Sequence, residues 1–222
     1  MAVRLETLLL TVLSSAIVLL AGAAAWFGLA SWLEAVSFVT GAICVWLTVK
    51  ESIWNFPVGL ANVATFGVVF FRSRLLADAA LQAVYFVLGA IGWWTWVYGG
   101  ENRTALRITR ASRIELGAVG LSAAAATLGI WQLLQLLGGS ASFWDALTTS
   151  LSLASQWLLN RKKLESWVGW IAVDVIYVPL YLWKELYLTS VLYALFLALA
   201  VMGYRAWRAT WHSSMDAPLG HR

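Results

Sequence analysis

Eight stretches of this chain are each apolar over roughly the length a helix needs to cross a lipid bilayer: 5–27, 30–49, 54–71, 75–98, 114–137, 143–160, 165–183 and 185–209. The hydrocarbon layer is about 30 Å thick and a helix rises about 1.5 Å per residue, so a span takes about 20 largely apolar residues. Hydrophobic residues make up 61% of the 222 and charged ones 12%. A soluble domain runs nearer 45–50% and about 25%, so a chain of this length has no soluble core large enough to hide its apolar surface. The expected fold is an all-α integral membrane protein of eight transmembrane helices. The first run could be read as a signal peptide, but it is long for one and "AGAAAWFGLASW" leads straight into the next span, so it is taken as a membrane helix.

Charge sets the expected orientation. With the N-terminus inside, Arg4, Lys50, Arg103, Arg107, Arg110, Arg113, Arg161, Lys162, Lys163, Arg205, Arg208 and Arg222 fall on the cytoplasmic side, leaving only Arg72, Arg74 and Lys184 of the 15 basic residues outside. The positive-inside rule therefore places both termini in the cytoplasm. The same bias explains the net charge of +4 without nucleic acid, because the cations gather at helix ends rather than on one face. The longest connection, "GGENRTALRITRASR", is a basic cytoplasmic loop, and the polar tail 210–222 is expected to be disordered.

The two halves of the chain echo one another at a spacing of 111. "SWLEA" (31–35) meets "SFWDA" (142–146), Lys50 meets Arg161, "RLLADAALQ" (74–82) meets "ELYLTSVLY" (185–193), and "GWWTW" (92–96) meets "GYRAW" (203–207). This predicts two three-helix repeats, 30–98 and 141–209, joined by the loop and linker helix of 99–140, with 1–29 an accessory N-terminal helix. Four crossings separate equivalent helices, so the repeats run parallel about an axis along the membrane normal. In transporters built this way the substrate site lies near the midplane between repeats.

Polar groups at membrane depth are costly and mark function or interhelical bonds. Trp167, Trp170, Asp174, Tyr177 and Tyr181 are spaced 3, 4, 3 and 4, which puts a carboxylate among aromatic rings on one helical face. Trp54, Asn62, Gln82, Trp93, Gln156 and Asn160 supply further rings and amides, with Asn62 matching Asp174 only after a slip of one residue. Of these eleven residues, all but Tyr181 form the candidate substrate-binding set of ten. Aromatic faces with one acid attract a delocalised cation, and amides with tyrosine hydroxyls suit a sugar or alcohol. The plainer readings are that Trp32, Trp183, Trp207 and Trp211 form an interfacial belt, that the amides bond neighbouring helices, and that Asp174 is a neutral structural carboxyl. Glu34, Asp78 and Asp145 read as helix caps, and "GAVGLSAAAATLG" as a close-packing surface.

Enzyme chemistry lacks its residues. Both histidines, His212 and His221, lie in the tail, Cys44 is the single cysteine, and neither H-E-x-x-H nor G-x-S-x-G occurs. No metal, cofactor or catalytic residue is expected. A non-transporting scaffold would share the composition but carry no flux.

The segments "WNFPVGLANV", "LLADAALQAVYFVLGAIGWWTW" and 142–207, with the Trp-x-x-Trp pair at 167–170 and "VDVIYVPLYL", resemble the PnuC family of bacterial vitamin transporters over about residues 30–209. The resemblance implies a core of three, one and three helices similar to full-length SWEET sugar transporters, a homotrimer, and a place in the bacterial inner membrane. It also implies uptake of nicotinamide riboside by facilitated diffusion, with cytoplasmic phosphorylation trapping the product. Relatives carrying thiamine or riboflavin keep those vitamins open as alternatives. A proton-coupled carrier stays open too, should Asp174 titrate.

Overall fold

The computed structural model describes residues 2–28, 32–72, 76–136, 143–183 and 185–216. Eight α-helices carry the chain: α1 Ala2–Trp26, α2 Trp32–Val49, α3 Asn55–Arg72, α4 Leu76–Tyr98, α5 Arg113–Leu136, α6 Phe143–Asn160, α7 Ser166–Trp183 and α8 Tyr187–Asp216. A 3-10 turn over Glu101–Arg103 follows α4, and among the described residues there is no strand. The expected all-α architecture is what forms. Four described stretches are long and apolar enough to cross a membrane: Ala79–Tyr98, Arg113–Leu136, Ser166–Trp183 and Thr189–Met215.

Two further described stretches, Ser15–Trp26 and Phe38–Val49, are apolar but shorter, while α6 is more polar for a reason visible in its packing. On α6 the buried residues include Thr148, Ser150, Ser152, Ser155 and Asn160. A helix screened by its neighbours can carry polar groups if they are satisfied internally. Thr148 and Ser155 do this by donating back to Trp144 O and Leu151 O, at 2.9 and 2.6 Å. In α3, Pro57 sits in the first turn, where its missing N–H costs no helical bond.

The helices pack in a reciprocal pattern. Helix α3 lies between α2 and α4, and α7 lies between α6 and α8; α2 then meets α8, and α4 meets α6. Helix α1 packs on α2 and α8, while α5 packs on α6. The details recur at the 111-residue spacing. Trp96 Nε1 donates to Leu159 O at 3.0 Å, and Trp207 Nε1 donates to Thr48 O at 3.1 Å. Phe56 stands edge-on to Trp96 at 5.1 Å, and Trp167 edge-on to Trp207 at 5.5 Å. Trp96 and Trp207 meet at 5.8 Å. The α2–α3 and α6–α7 turns match as well, with Ser52 N bonded to Leu47 O and Lys163 N to Leu158 O, both at 2.9 Å. Glu51 and Lys162, 111 apart, both take left-handed φ, 53° and 48°. Each strained residue costs about 1–2 kcal/mol. They offset part of that by forming an ion pair with each other at 3.1 Å, with Lys162 Nζ also 4.5 Å from the centroid of the Trp96 ring.

The loop between α4 and α5 is strapped across this end of the bundle. Leu106 N bonds Trp96 O at 2.9 Å, Thr109 N bonds Lys162 O at 3.1 Å, and Leu164 N bonds Thr109 O at 2.9 Å. Arg110 and the Ala111 amide both hold Glu165, at 2.9 and 2.8 Å, and Ile108 is buried in the core.

Several expectations need correction. Helix α8 continues to Asp216, so 210–216 are helical rather than disordered; Trp211 packs against the core and Arg110 lies over its ring at 5.7 Å. Residues 217–222 lie outside the described residues. Trp207 is not an interfacial belt residue, since it is 0% exposed and bonded to α2. Among the described residues of this single chain, nothing lies within 4 Å of a Cβ built at Gly117, Gly120 or Gly129 on α5, and of that run only Ala123 and Thr127 are buried. Asp145 stands in the first turn of α6, while the side chains of Glu34 and Asp78 lie outside the described residues.

Tight aromatic packing leads to a first prediction. A Cβ at Gly203 would strike three carbons of the Trp167 ring. Gly203→Ala is expected to lower stability by about 1–3 kcal/mol through overpacking, read as a fall in Tm of the detergent-solubilised protein. An unchanged Tm would mean that the indole can move aside freely.

Candidate functional site

A cavity of about 310 Å³ opens between the helices. Its described walls come from six helices, α2, α3, α4, α6, α7 and α8, and none of the described lining residues belongs to α1 or α5. Trp167, Trp170 and Asp174 descend one face of α7, and Phe56, Gly59 and Val63 descend α3 with the same spacing of 3 and 4. Seven of the eight lining residues on α6–α8 have another lining residue 111 positions earlier: Gln156 with Val45, Leu159 with Thr48, Trp167 with Phe56, Trp170 with Gly59, Asp174 with Val63, Phe196 with Tyr85, and Ala200 with Gly89. The eighth, Tyr193, corresponds to Gln82, which faces a separate groove between α3 and α4.

The chemistry is unequal across these pairs. The α7 side supplies both indoles and the carboxylate, where the α3 side supplies Phe, Gly and Val. Asp174 is 6% exposed. Among the described residues it is the only carboxylate in the lining, which contains no Lys, Arg or His. The buried Nε1 of Trp167 has no acceptor among the described residues, and an unmet buried donor costs about 1–3 kcal/mol until something accepts from it. No group of three His, Cys, Asp or Glu side chains that could hold a metal comes together among the described residues.

Of the ten candidates, Asn62, Gln156, Trp167, Trp170 and Asp174 line the cavity. The other five lie outside it. Asn160 is 1% exposed; it donates to Leu88 O at 2.7 Å and accepts from Gln156 Nε2 at 2.9 Å, so it fixes Gln156 and ties α6 to α4. Tyr177 stacks in a tyrosine cluster with Tyr181 at 5.3 Å and Tyr193 at 4.8 Å, and only Tyr193 reaches the lining. Gln82 faces the other groove, Trp54 is 67% exposed just before α3, and Trp93 is 40% exposed because Gly89, Gly92 and Trp96 take the inward face of α4. Asn62 is not the counterpart of Asp174. The register holds at 111 without the slip, and the Asn62 amide donates to the Thr40 hydroxyl. Thr40, Cys44, Asn55, Tyr85 and Tyr193 also line the cavity and were not among the candidates. Extending the 111 spacing to α4 and α8 pairs Tyr85 with Phe196, a signal that was present in the sequence.

Residues 31–209 match the model of a protein family described as nicotinamide mononucleotide transporters. The chain belongs to the nicotinamide mononucleotide transporter family. Its relatives in that family include the nicotinamide riboside transporter PnuC of Escherichia coli, 28% identical with 80% of this chain and 85% of the relative covered. PnuC of Haemophilus influenzae is 30% identical over 80% of this chain and 79% of the relative. The riboflavin/roseoflavin transporter RibM of Streptomyces davaonensis is 27% identical, covering 79% and 84%. The crystal structure of the vitamin B3 transporter PnuC shares the fold at a TM-score of 0.73 and 22% identity, with 94% of this chain and 92% of that chain covered. Membership in the nicotinamide mononucleotide transporter family makes this chain a multi-pass membrane protein of a vitamin-transporter family and not an enzyme.

Proposed function

We propose that this protein carries nicotinamide riboside into a bacterial cell across the inner membrane by facilitated diffusion, with cytoplasmic phosphorylation trapping the product. The observation that carries this reading is the cavity's inventory among the described residues: two indoles, one carboxylate, three amides, tyrosine hydroxyls and no basic residue. A cationic pyridinium ring is attracted by indole faces and by Asp174, and the ribose hydroxyls suit Asn62, Gln156 and the free Trp167 N–H. The phosphate of the mononucleotide would meet Asp174 with no counter-cation, so the riboside fits and the mononucleotide does not. Riboflavin, neutral, would leave the Asp174 charge uncompensated. Thiamine, cationic and hydroxylated, is the vitamin closest in chemistry.

The transport reading rests on a duplicated bundle. Residues 30–98 and 141–209 act as parallel three-helix units, α5 is the linker that permits this, and α1 is an accessory outside them. The recurring contacts and the paired lining residues support an axis running through the cavity, where substrate sites of repeat-built transporters lie. The distribution of Lys and Arg supports cytoplasmic termini. A homotrimer belongs to the same reading, and light scattering of the purified protein tests it, a monomeric mass counting against it.

A single lining carboxylate gives no chain of proton-relay groups, which favours uncoupled carriage. In kinase-free liposomes, nicotinamide riboside should equilibrate and not accumulate, at the same rate with and without a proton gradient. Accumulation that vanishes when the gradient is collapsed would establish coupling instead. Binding without flux would make the protein a receptor or scaffold.

A further inference from the structure

The glycines of this bundle are not alike in what keeps them small. At Gly92 an added Cβ would meet Asn160 and, at 2.7 Å, the Phe56 ring; at Gly203 it would meet Trp167; at Gly89 it would meet Leu60 at 3.0 Å. Packing alone accounts for those three. Gly59 is different. It lies inside α3, it is not among the residues of positive φ, and a Cβ there would find a single neighbour within 4 Å, the Cys44 thiol at 3.3 Å. Backbone geometry does not demand a glycine, and the crowding is confined to that one thiol, which donates to Asn55 O and would have to give by a few tenths of an ångström. A glycine inside a helix is about 0.5–1 kcal/mol less stable than alanine, so the position carries a cost with little structural return.

What Gly59 does return is space in the cavity. It lines the cavity at the position that corresponds, 111 residues on, to Trp170, within the matched stripes Phe56–Gly59–Val63 and Trp167–Trp170–Asp174. Where the second half projects an indole into the cavity, the first half projects nothing. A planar ring lying on the Trp170 face needs about 3.5–4.0 Å to the atoms on either side.

We infer that Gly59 is a specificity-determining residue: its missing side chain is the berth that lets the heteroaromatic ring of the substrate lie against Trp170, and it sets the ring size accepted. This rests on the vitamin-transport reading above.

The test is a calorimetric titration of the purified protein and its Gly59→Ala, Gly59→Val and Gly59→Ala/Cys44→Ala variants with nicotinamide riboside, each paired with a thermal melt. Gly59→Ala is expected to weaken binding about tenfold, the scale of one extra methyl group in a close-fitting pocket, with Tm unchanged or raised. Gly59→Val should weaken it further. Removing the Cys44 thiol in the double variant should not restore affinity, because the new methyl group itself occupies the berth. Wild-type affinity in folded Gly59→Ala and Gly59→Val would overturn the inference, and so would full rescue by Cys44→Ala, which would trace the effect to a displaced thiol. A wild-type protein that binds no riboside would instead sink the transport reading itself.

Discussion

Asp174→Asn should weaken nicotinamide riboside binding about thirtyfold or more while leaving the protein as stable or more so. Removing one partner of a desolvated charge pair costs about 2–5 kcal/mol, and each 1.4 kcal/mol is about tenfold. Asparagine keeps the size of the side chain and removes its charge, so the loss is electrostatic. Stability should move the other way, since an ionised carboxylate at membrane depth costs about 2.5–3.5 kcal/mol and no hydrogen bond or ion pair to Asp174 offsets this among the described residues. The neutral dihydro form of the same riboside is the control. Its affinity should barely change in the variant, so the preference for the cationic ring should collapse. Equal losses for both forms would show that Asp174 acts through shape rather than charge.

The two tryptophans of α7 should separate folding from binding. Trp167 is 2% exposed, edge-on to Trp207 and pressed against Gly203. Trp167→Ala should therefore cost about 3–5 kcal/mol, a Tm fall of roughly 10 °C for a chain of this size, and binding should be lost with it. Trp167→Phe, which keeps an aromatic ring at the position, should recover most of the stability and isolate the contribution of the indole N–H. Trp170 is only half-buried and packs at the edge of the core. Trp170→Ala should lower affinity about tenfold, within the range of a desolvated cation–π contact, with a much smaller change in Tm. Melting curves and titrations of the three variants check both halves. Equal Tm losses for the two alanine variants would contradict the distinction.

The helices were legible because a bilayer demands long apolar runs, and the boundaries of α2, α3, α6 and α7 fall close to where those runs start and stop. The end of α8 was not. "WHSSMD" is polar, but Trp211 anchors it to the core, and Ser213 and Ser214 bond carbonyls three residues back within the same helix. The α7 stripe was legible from spacing alone, since residues three and four apart share a face wherever the helix points. Which face of α4 turns inward is decided by neighbours: Gly92 lets Asn160 and Phe56 approach, so Trp96 enters the core and Trp93 is turned out. Trp54 misled for a related reason, standing at a helix start where a ring reaches outward as easily as inward. Asn62 was placed opposite Asp174 by matching polar residue with polar residue. Backbone geometry keeps the two turns in strict register, so the counterpart of Asp174 is Val63 and the cavity is chemically lopsided.

The central claim is that this cavity takes a cationic heteroaromatic riboside and has no means of holding a phosphate. Titrating the purified protein with nicotinamide riboside and with the mononucleotide tests it most directly. Saturable binding of the riboside at one site per chain, with the mononucleotide about a hundredfold weaker or undetected, is the expected result, given that a like charge facing Asp174 costs several kcal/mol. Mononucleotide binding as tight as that of the riboside would contradict it.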